Sequence, residues 1–139
     1  MCEIITSTKT TKIRKERTVF KVLQSHFYTG SLFSPLTIKP YYLHKQVESE
    51  ITFMPCVNSE SIRIKTEKGL YSFKTKKFAE KYKTALKNTF PGLIYVIVKC
   101  KIPIGSQIID CDDTEHRYYQ NYCSGVIISN KLIPIEIVN

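Results

Sequence analysis

The stretch TKKFAEKYKTALKNTFPGLIYVIVKCK, Thr75–Lys101, decides the architecture. Its first half reads as a helix. Phe78, Tyr82, Ala85 and Leu86 recur at i, i+4, i+7 and i+8, which gathers them on one face. Thr75 stands where an N-cap belongs, because its hydroxyl oxygen can accept an orphan backbone N–H. Lys81, Lys83 and Lys87 crowd toward the C-terminal end, where the helix dipole favours cations. Asn88 and then Pro91-Gly92 supply the stop, so the spacing predicts a helix over 76–87. The second half, Leu93–Lys101, is almost wholly apolar and rich in β-branched residues, the pattern of a central strand buried on both faces. Phe78, Tyr82 and Leu86 are expected to pack against Ile94, Val96 or Val98 of that strand.

Outward from this pair the chain reads as further strands. TVFKVLQ at 18–24 has the aromatic and β-branched content of a strand, and SIRIK at 61–65 alternates as a half-buried one. A strand is favoured near Glu50–Met54, Lys68-Gly69 turns into Leu70–Phe73, and Pro103 and Gly105 end the central strand before a short one at Ser106–Asp110. Tyr122–Ser129 and Leu132–Val138 read as two closing strands around a turn at Ser129-Asn130-Lys131, and Asp110–Asn121 as a polar surface loop. The expected fold is α+β: one domain over 18–139, a mixed but mostly antiparallel sheet and one main helix. Residues 1–17, with the run TSTKTTKIRKER at 6–17, form a basic polar arm or an edge segment.

Composition narrows the class. The 139 residues are 42% hydrophobic and 24% charged, which excludes a disordered tail and suits one globular domain. No apolar run reaches the ~20 residues of a membrane span. Residues 1–7 lack the basic start and apolar run of a leader, so a cytoplasmic location is expected. The net charge is +9, with 17 Lys against 4 Arg, a bias that fits an AT-rich genome. Nineteen basic and seven acidic residues fall in 1–109, whereas 110–139 holds two and five. Such a surface favours an anionic partner. Five cysteines at irregular spacing, with no CxxC, point away from a disulfide framework and from zinc.

Three constellations carry candidate chemistry. In GLYSFKTKK, Ser72 and Thr75 stand at a helix N-terminus among Lys74, Lys76 and Lys77, where a phosphate would find N–H, hydroxyl and ammonium donors, and Tyr71 would stack on a base. In DCDDTEHRYYQNY at 110–122, Arg117 suits a phosphate and Tyr119 a base or ring; the carboxylates lack cation-loop spacing, so no metal is expected. His26, in HFY after the first clear strand, is a candidate ribose-binding group or base. No motif implies a cofactor.

The segments GLYSFKTKKFAEKY, LIYVIVKCKIPIGSQIID and YCSGVIISNKLIPIEIV together resemble the back half of small ADP-ribosyltransferase-like domains. Tyr71-Ser72-Phe73 stands at the place of the family's Ser-Thr-Ser motif, and Pro103-Ile104-Gly105 matches its strand-closing turn. The resemblance covers residues 69–137 and implies a split sheet around a cleft that takes a nucleotide. Tyr122-Cys123-Ser124-Gly125 occupies the place of the Glu-x-Glu motif without a carboxylate, which implies no transferase activity. A similar layout is seen in small phage and prophage proteins.

These readings converge on a non-catalytic binding protein for an anionic, nucleotide-like ligand, of phage or mobile-element type. One alternative is a basic nucleic-acid-associated accessory protein, with the 9–17 arm and the 65–87 face neutralising phosphates. Another is a divergent ADP-ribosyltransferase using Glu115 or Glu136, although Glu136 alternates with Ile135 and Ile137 and so points to solvent. The expected partners are a small anion or nucleotide, with nucleic acid as the second choice and no membrane.

Overall fold

The computed structural model describes residues 4–5, 9–35, 39–58, 61–112 and 125–138. Along the chain run β1 (Ile4–Ile5), β2 (Thr11–Lys12), β3 (Arg17–Ser25), β4 (Leu32–Phe33), β5 (Pro40–Tyr41), β6 (Val47–Glu48) and β7 (Thr52–Asn58). They are followed by β8 (Ser61–Lys68), β9 (Leu70–Phe73), α1 (Lys76–Thr89), β10 (Ile94–Ile102), β11 (Gln107–Asp110), β12 (Val126–Ser129) and β13 (Lys131–Ile137). Every pairing among them is antiparallel. The large sheet runs β2-β11-β12-β9-β3-β10-β13-β6, with β4 and β5 branching from β3; β1, β8 and β7 make a second, three-stranded sheet. The domain is therefore mostly strand, with a single helix among the described residues. Within the basic stretch, Thr11 and Lys12 join the sheet at its edge, where Lys12 pairs with Gln107 and Thr11 with Ile108.

The helix is built as its sequence dictates. Thr75 Oγ1 accepts the Phe78 N–H at 3.3 Å, and the Phe90 N–H closes the other end on Leu86 O at 2.8 Å, one residue before Pro91. Ala79 and Leu86 are buried against Val22, Tyr95 and Ile97, with Phe20, Phe73, Tyr82 and Val138 around them. The partners on β10 are thus Tyr95 and Ile97. Val96 and Val98 face the opposite core with Val19, Leu23 and Leu132, and Ile94 is exposed. A strand buried on both faces is apolar at every position, so its alternation carries no mark of which face meets the helix. Leu86→Ala is expected to cost about 2–5 kcal/mol, because the side chain is buried and its neighbours lie on a rigid sheet. Urea unfolding measures it; a loss under about 1 kcal/mol would mean that the helix is not anchored there.

What positions the site is the behaviour of β3. On one side β10 follows it along its whole length, from Arg17 opposite Ile102 to Ser25 opposite Ile94. On the other side β9 touches it at Phe20↔Phe73 alone, and β4 at Gln24↔Phe33 and Ser25↔Leu32. Between those contacts, Lys21, Val22 and Leu23 have no strand partner on that side among the described residues. The sheet forks there, with β9 on one branch and the β4–β5 pair on the other.

Candidate ligand-binding cleft

The fork opens into a cleft of about 340 Å³. Lys21 lies at its base, Lys39 and Lys68 on its walls, and Tyr41, Tyr71, Phe73 and Tyr82 bring aromatic rings to its lining. Glu67 is the one carboxylate among the described residues of the lining, and Thr52 Oγ1 donates to it at 3.4 Å. Three ammonium groups against one carboxylate give the cavity a positive bias.

Lys21 is the unusual group. The β3 alternation puts it between Val19 and Leu23 on an apolar face, and only 7% of the residue is exposed. Its Nζ donates to Tyr71 O across the fork and lies 5.4 Å from the centroid of the Tyr41 ring. Were β9 to continue in register from Phe73, Tyr71 would stand opposite Val22; instead the ammonium bridges the gap that the departing strand leaves. No carboxylate among the described residues comes within ion-pair distance of it. Burial therefore pulls its pKa from 10.5 to about 8; Cys100 works weakly the other way and Lys39 reinforces the drop. Burial also pushes the Cys100 thiol up to about 12 and raises the Tyr41 phenol, so both stay protonated at neutral pH. The cleft holds a lysine whose positive charge has no carboxylate partner among the described residues, in a cavity open to a small molecule.

The residues that the sequence marks out are dispersed. Tyr71 lines the cleft. Ser72, its neighbour on β9, points to the other face, is 1% exposed and has Oγ 3.5 Å from Ile127 O. Thr75 spends its hydroxyl oxygen on capping α1. Lys74 is held by two carboxylates, with Nζ 2.6 Å from Asp110 Oδ1 and 2.8 Å from Asp112 Oδ2, and Arg17 stands 3.9 Å from Asp110. Partial burial works against the Lys74 charge, but hydrogen bonds to both carboxylates outweigh it and raise its pKa. Lys76 and Lys77 belong to the first turn of α1 and do not line the cleft. His26 is exposed, and its Nδ1 accepts the Tyr28 and Thr29 N–H groups at 3.3 Å, which makes it the cap of the turn after β3. Arg117, Tyr119 and Glu115 lie outside the described residues. Glu136 is exposed and 3.9 Å from Lys99 Nζ.

Asp110 and Asp112 have a structural use. Asp112 accepts the Gly125 N–H with both oxygens, at 3.0 and 3.1 Å, and Asp110 Oδ1 accepts the Asp112 N–H at 3.0 Å. With Lys74 they fasten the β11 and β12 ends to the start of α1. The described residues contain no group of three or more His, Cys, Asp or Glu able to hold a metal ion, and the side chains of Cys100 and Cys111 are buried.

Lys21 and Lys39 are what sequence reasoning missed, and Lys68 entered it only as part of the 65–87 basic face. Lys39 and Lys68 carry no local signal, being surface lysines among many. Lys21 does carry one: in TVFKVLQ it interrupts an otherwise apolar alternation, Val19-x-Lys21-x-Leu23, on the face that the strand buries. No family model matches the chain, no curated protein does, and no solved structure does, so the fork and its buried lysine carry the functional argument alone.

Proposed function

We propose that the protein is a non-catalytic binder of a small anionic, ring-bearing ligand of the nucleotide type, held in the cleft at the β3 fork. The observation that supports this is the Lys21 ammonium, buried at the base of an open cavity without a carboxylate partner among the described residues. A buried charge of this kind is costly unless something neutralises it, and a phosphate or carboxylate of a ligand would do so. Lys39 and Lys68 extend the positive wall, and the tyrosines offer ring faces for a base. Tyr122-Cys123-Ser124 brings no carboxylate to polarise a ribose, so a bound dinucleotide such as NAD is expected to be released unchanged.

Calorimetric titration with ADP, NAD and cyclic dinucleotides tests the reading. At least one should bind, and Lys21→Met should weaken it by roughly ten- to a hundredfold, the usual loss for a hydrogen bond to a charged group. Lys77→Met, away from the cleft, should leave it unchanged. Affinity should also fall as the pH rises through about 8, where Lys21 loses its proton. Equal affinity in wild type and Lys21→Met would dismiss this cleft as the site. Binding of a single-stranded oligonucleotide with a steep salt dependence, insensitive to Lys21→Met, would instead favour a nucleic-acid surface.

A further inference from the structure

The same amine is placed to do more than attract an anion. Elsewhere in the described structure lysines near carboxylates are tied as cations: Lys74 by Asp110 and Asp112, Lys99 by Glu136, Lys101 by Glu16. Among the described residues, the one hydrogen-bond acceptor of Lys21 is a neutral carbonyl, Tyr71 O, and the Tyr41 ring lies beside it. An acceptor of that kind takes one N–H and leaves the nitrogen lone pair available once a proton has gone. Val19, Leu23, Tyr41 and Leu70, buried on the same side of β3, make the surroundings of the amine largely apolar.

We propose that Lys21 is a covalent capture site for anionic carbonyl compounds: its Nζ condenses with the aldehyde of a ring-bearing phosphate ester to form an imine inside the cleft. This rests on the reading of the cleft as an anion site, since Lys39 and Lys68 would hold the phosphate while the ring lies among the tyrosines. In the step, the neutral amine attacks the carbonyl carbon and a C–N bond forms. The carbonyl oxygen takes up protons and leaves as one water, and the nitrogen's remaining proton is lost as the C=N bond closes. No oxidant or reductant is consumed. A desolvated lysine in an apolar pocket is the usual form of such a nucleophile. With its pKa lowered to about 8, Lys21 is neutral near pH 7.4 in a far larger fraction than the roughly one in a thousand of an ordinary lysine.

Pyridoxal 5′-phosphate is a suitable probe, being an aldehyde, a ring and a phosphate in one molecule. The full chain is incubated with one equivalent near neutral pH, the imine is reduced with borohydride, and the adduct is mapped by peptide mass spectrometry. Lys21 should carry at least about tenfold more adduct than any exposed lysine, given its larger neutral fraction. Lys21→Arg should remove that adduct together with the visible band of the imine. In parallel, pyridoxine 5′-phosphate, which has an alcohol in place of the aldehyde, is titrated by calorimetry. Adduct spread evenly over surface lysines would overturn the capture proposal, and the mapping of wild type decides this even if Lys21→Arg fails to fold. If pyridoxine 5′-phosphate then still binds in a Lys21-dependent way, anion binding survives without covalent chemistry. If neither compound engages the cleft and nucleotides also fail to bind, both readings fall together.

Discussion

Lys21→Met is expected to make the protein more stable by about 2 kcal/mol at neutral pH, while weakening the proposed anion binding roughly ten- to a hundredfold. Lowering the pKa from 10.5 to about 8 corresponds to about 3 kcal/mol of penalty for keeping the charge buried. Met fills the same apolar space without the charge, and leaving Tyr71 O without its donor offsets about 1 kcal/mol of the gain. The pH dependence has a definite sign. Below about 8 the native and unfolded chains both hold the Lys21 proton, and the native state carries the whole penalty. Between about 8 and 10.5 the unfolded chain binds more protons than the native one, so wild type gains on the variant as pH rises. Urea midpoints for both proteins from pH 7 to 10.5 measure this gap. The comparison must be between the two proteins. Cys100 and Tyr41, whose pKa values are raised, retain protons that the unfolded chain releases, so they weaken wild type and variant alike in the alkaline range. A variant less stable than wild type at pH 7, or a gap that does not close with pH, would show that Lys21 is not a desolvated cation.

Gly125→Ala should be among the most damaging single-methyl changes, at about 2–5 kcal/mol, because it adds left-handed backbone strain to overpacking. Gly125 has φ +77°, and a Cβ there would lie 2.3–2.7 Å from the Phe78 ring, inside any tolerable contact. The ring cannot swing away cheaply, since Phe78 sits in the first turn of α1, with its own N–H fixed on Thr75. A double-variant cycle separates the two causes. Phe78→Ala opens the space, so the pair should be less destabilised than the sum of the singles by about 1–3 kcal/mol, leaving only the backbone strain. Chemical denaturation of the four proteins gives the coupling. Strict additivity would mean that Phe78 is not what Gly125 must avoid.

The elements that the sequence announces are those with length and period. Arg17–Ser25, Lys76–Thr89, Ile94–Ile102 and Lys131–Ile137 each span enough residues for alternation or a helical stripe to show, and the structure places them within a residue or two of their expected bounds. Leu32–Phe33, Pro40–Tyr41 and Val47–Glu48 are two residues each and have no period to read. Leu32–Phe33 and Pro40–Tyr41 form the far branch of the fork, so the cleft was hidden by the shortness of its own frame. The lysine-rich helix start attracted attention because charge and caps are visible locally. Whether such a group is free depends on what folds against it, and Lys74 meets Asp110 and Asp112 from a strand end more than thirty residues away. Tyr71 was legible because it flanks a glycine turn into a short strand, yet its carbonyl as well as its ring turns out to matter.

The fork draws its walls from distant parts of the chain. Fifty residues separate Lys21 from Tyr71; Tyr41 comes from within that span and Tyr82 from beyond it. No fragment of the polypeptide carries the cavity, and none of it exists before β3 has found both β9 and β4. A molecule seated there would touch segments that the backbone ladder leaves unjoined, acting as the missing rung between the two branches. At a hundred times its dissociation constant it would add about 2.7 kcal/mol to the folded state. For this chain the ligand would be as much a part of the architecture as a strand, and occupancy of the cleft would decide how long the folded protein survives in a cell.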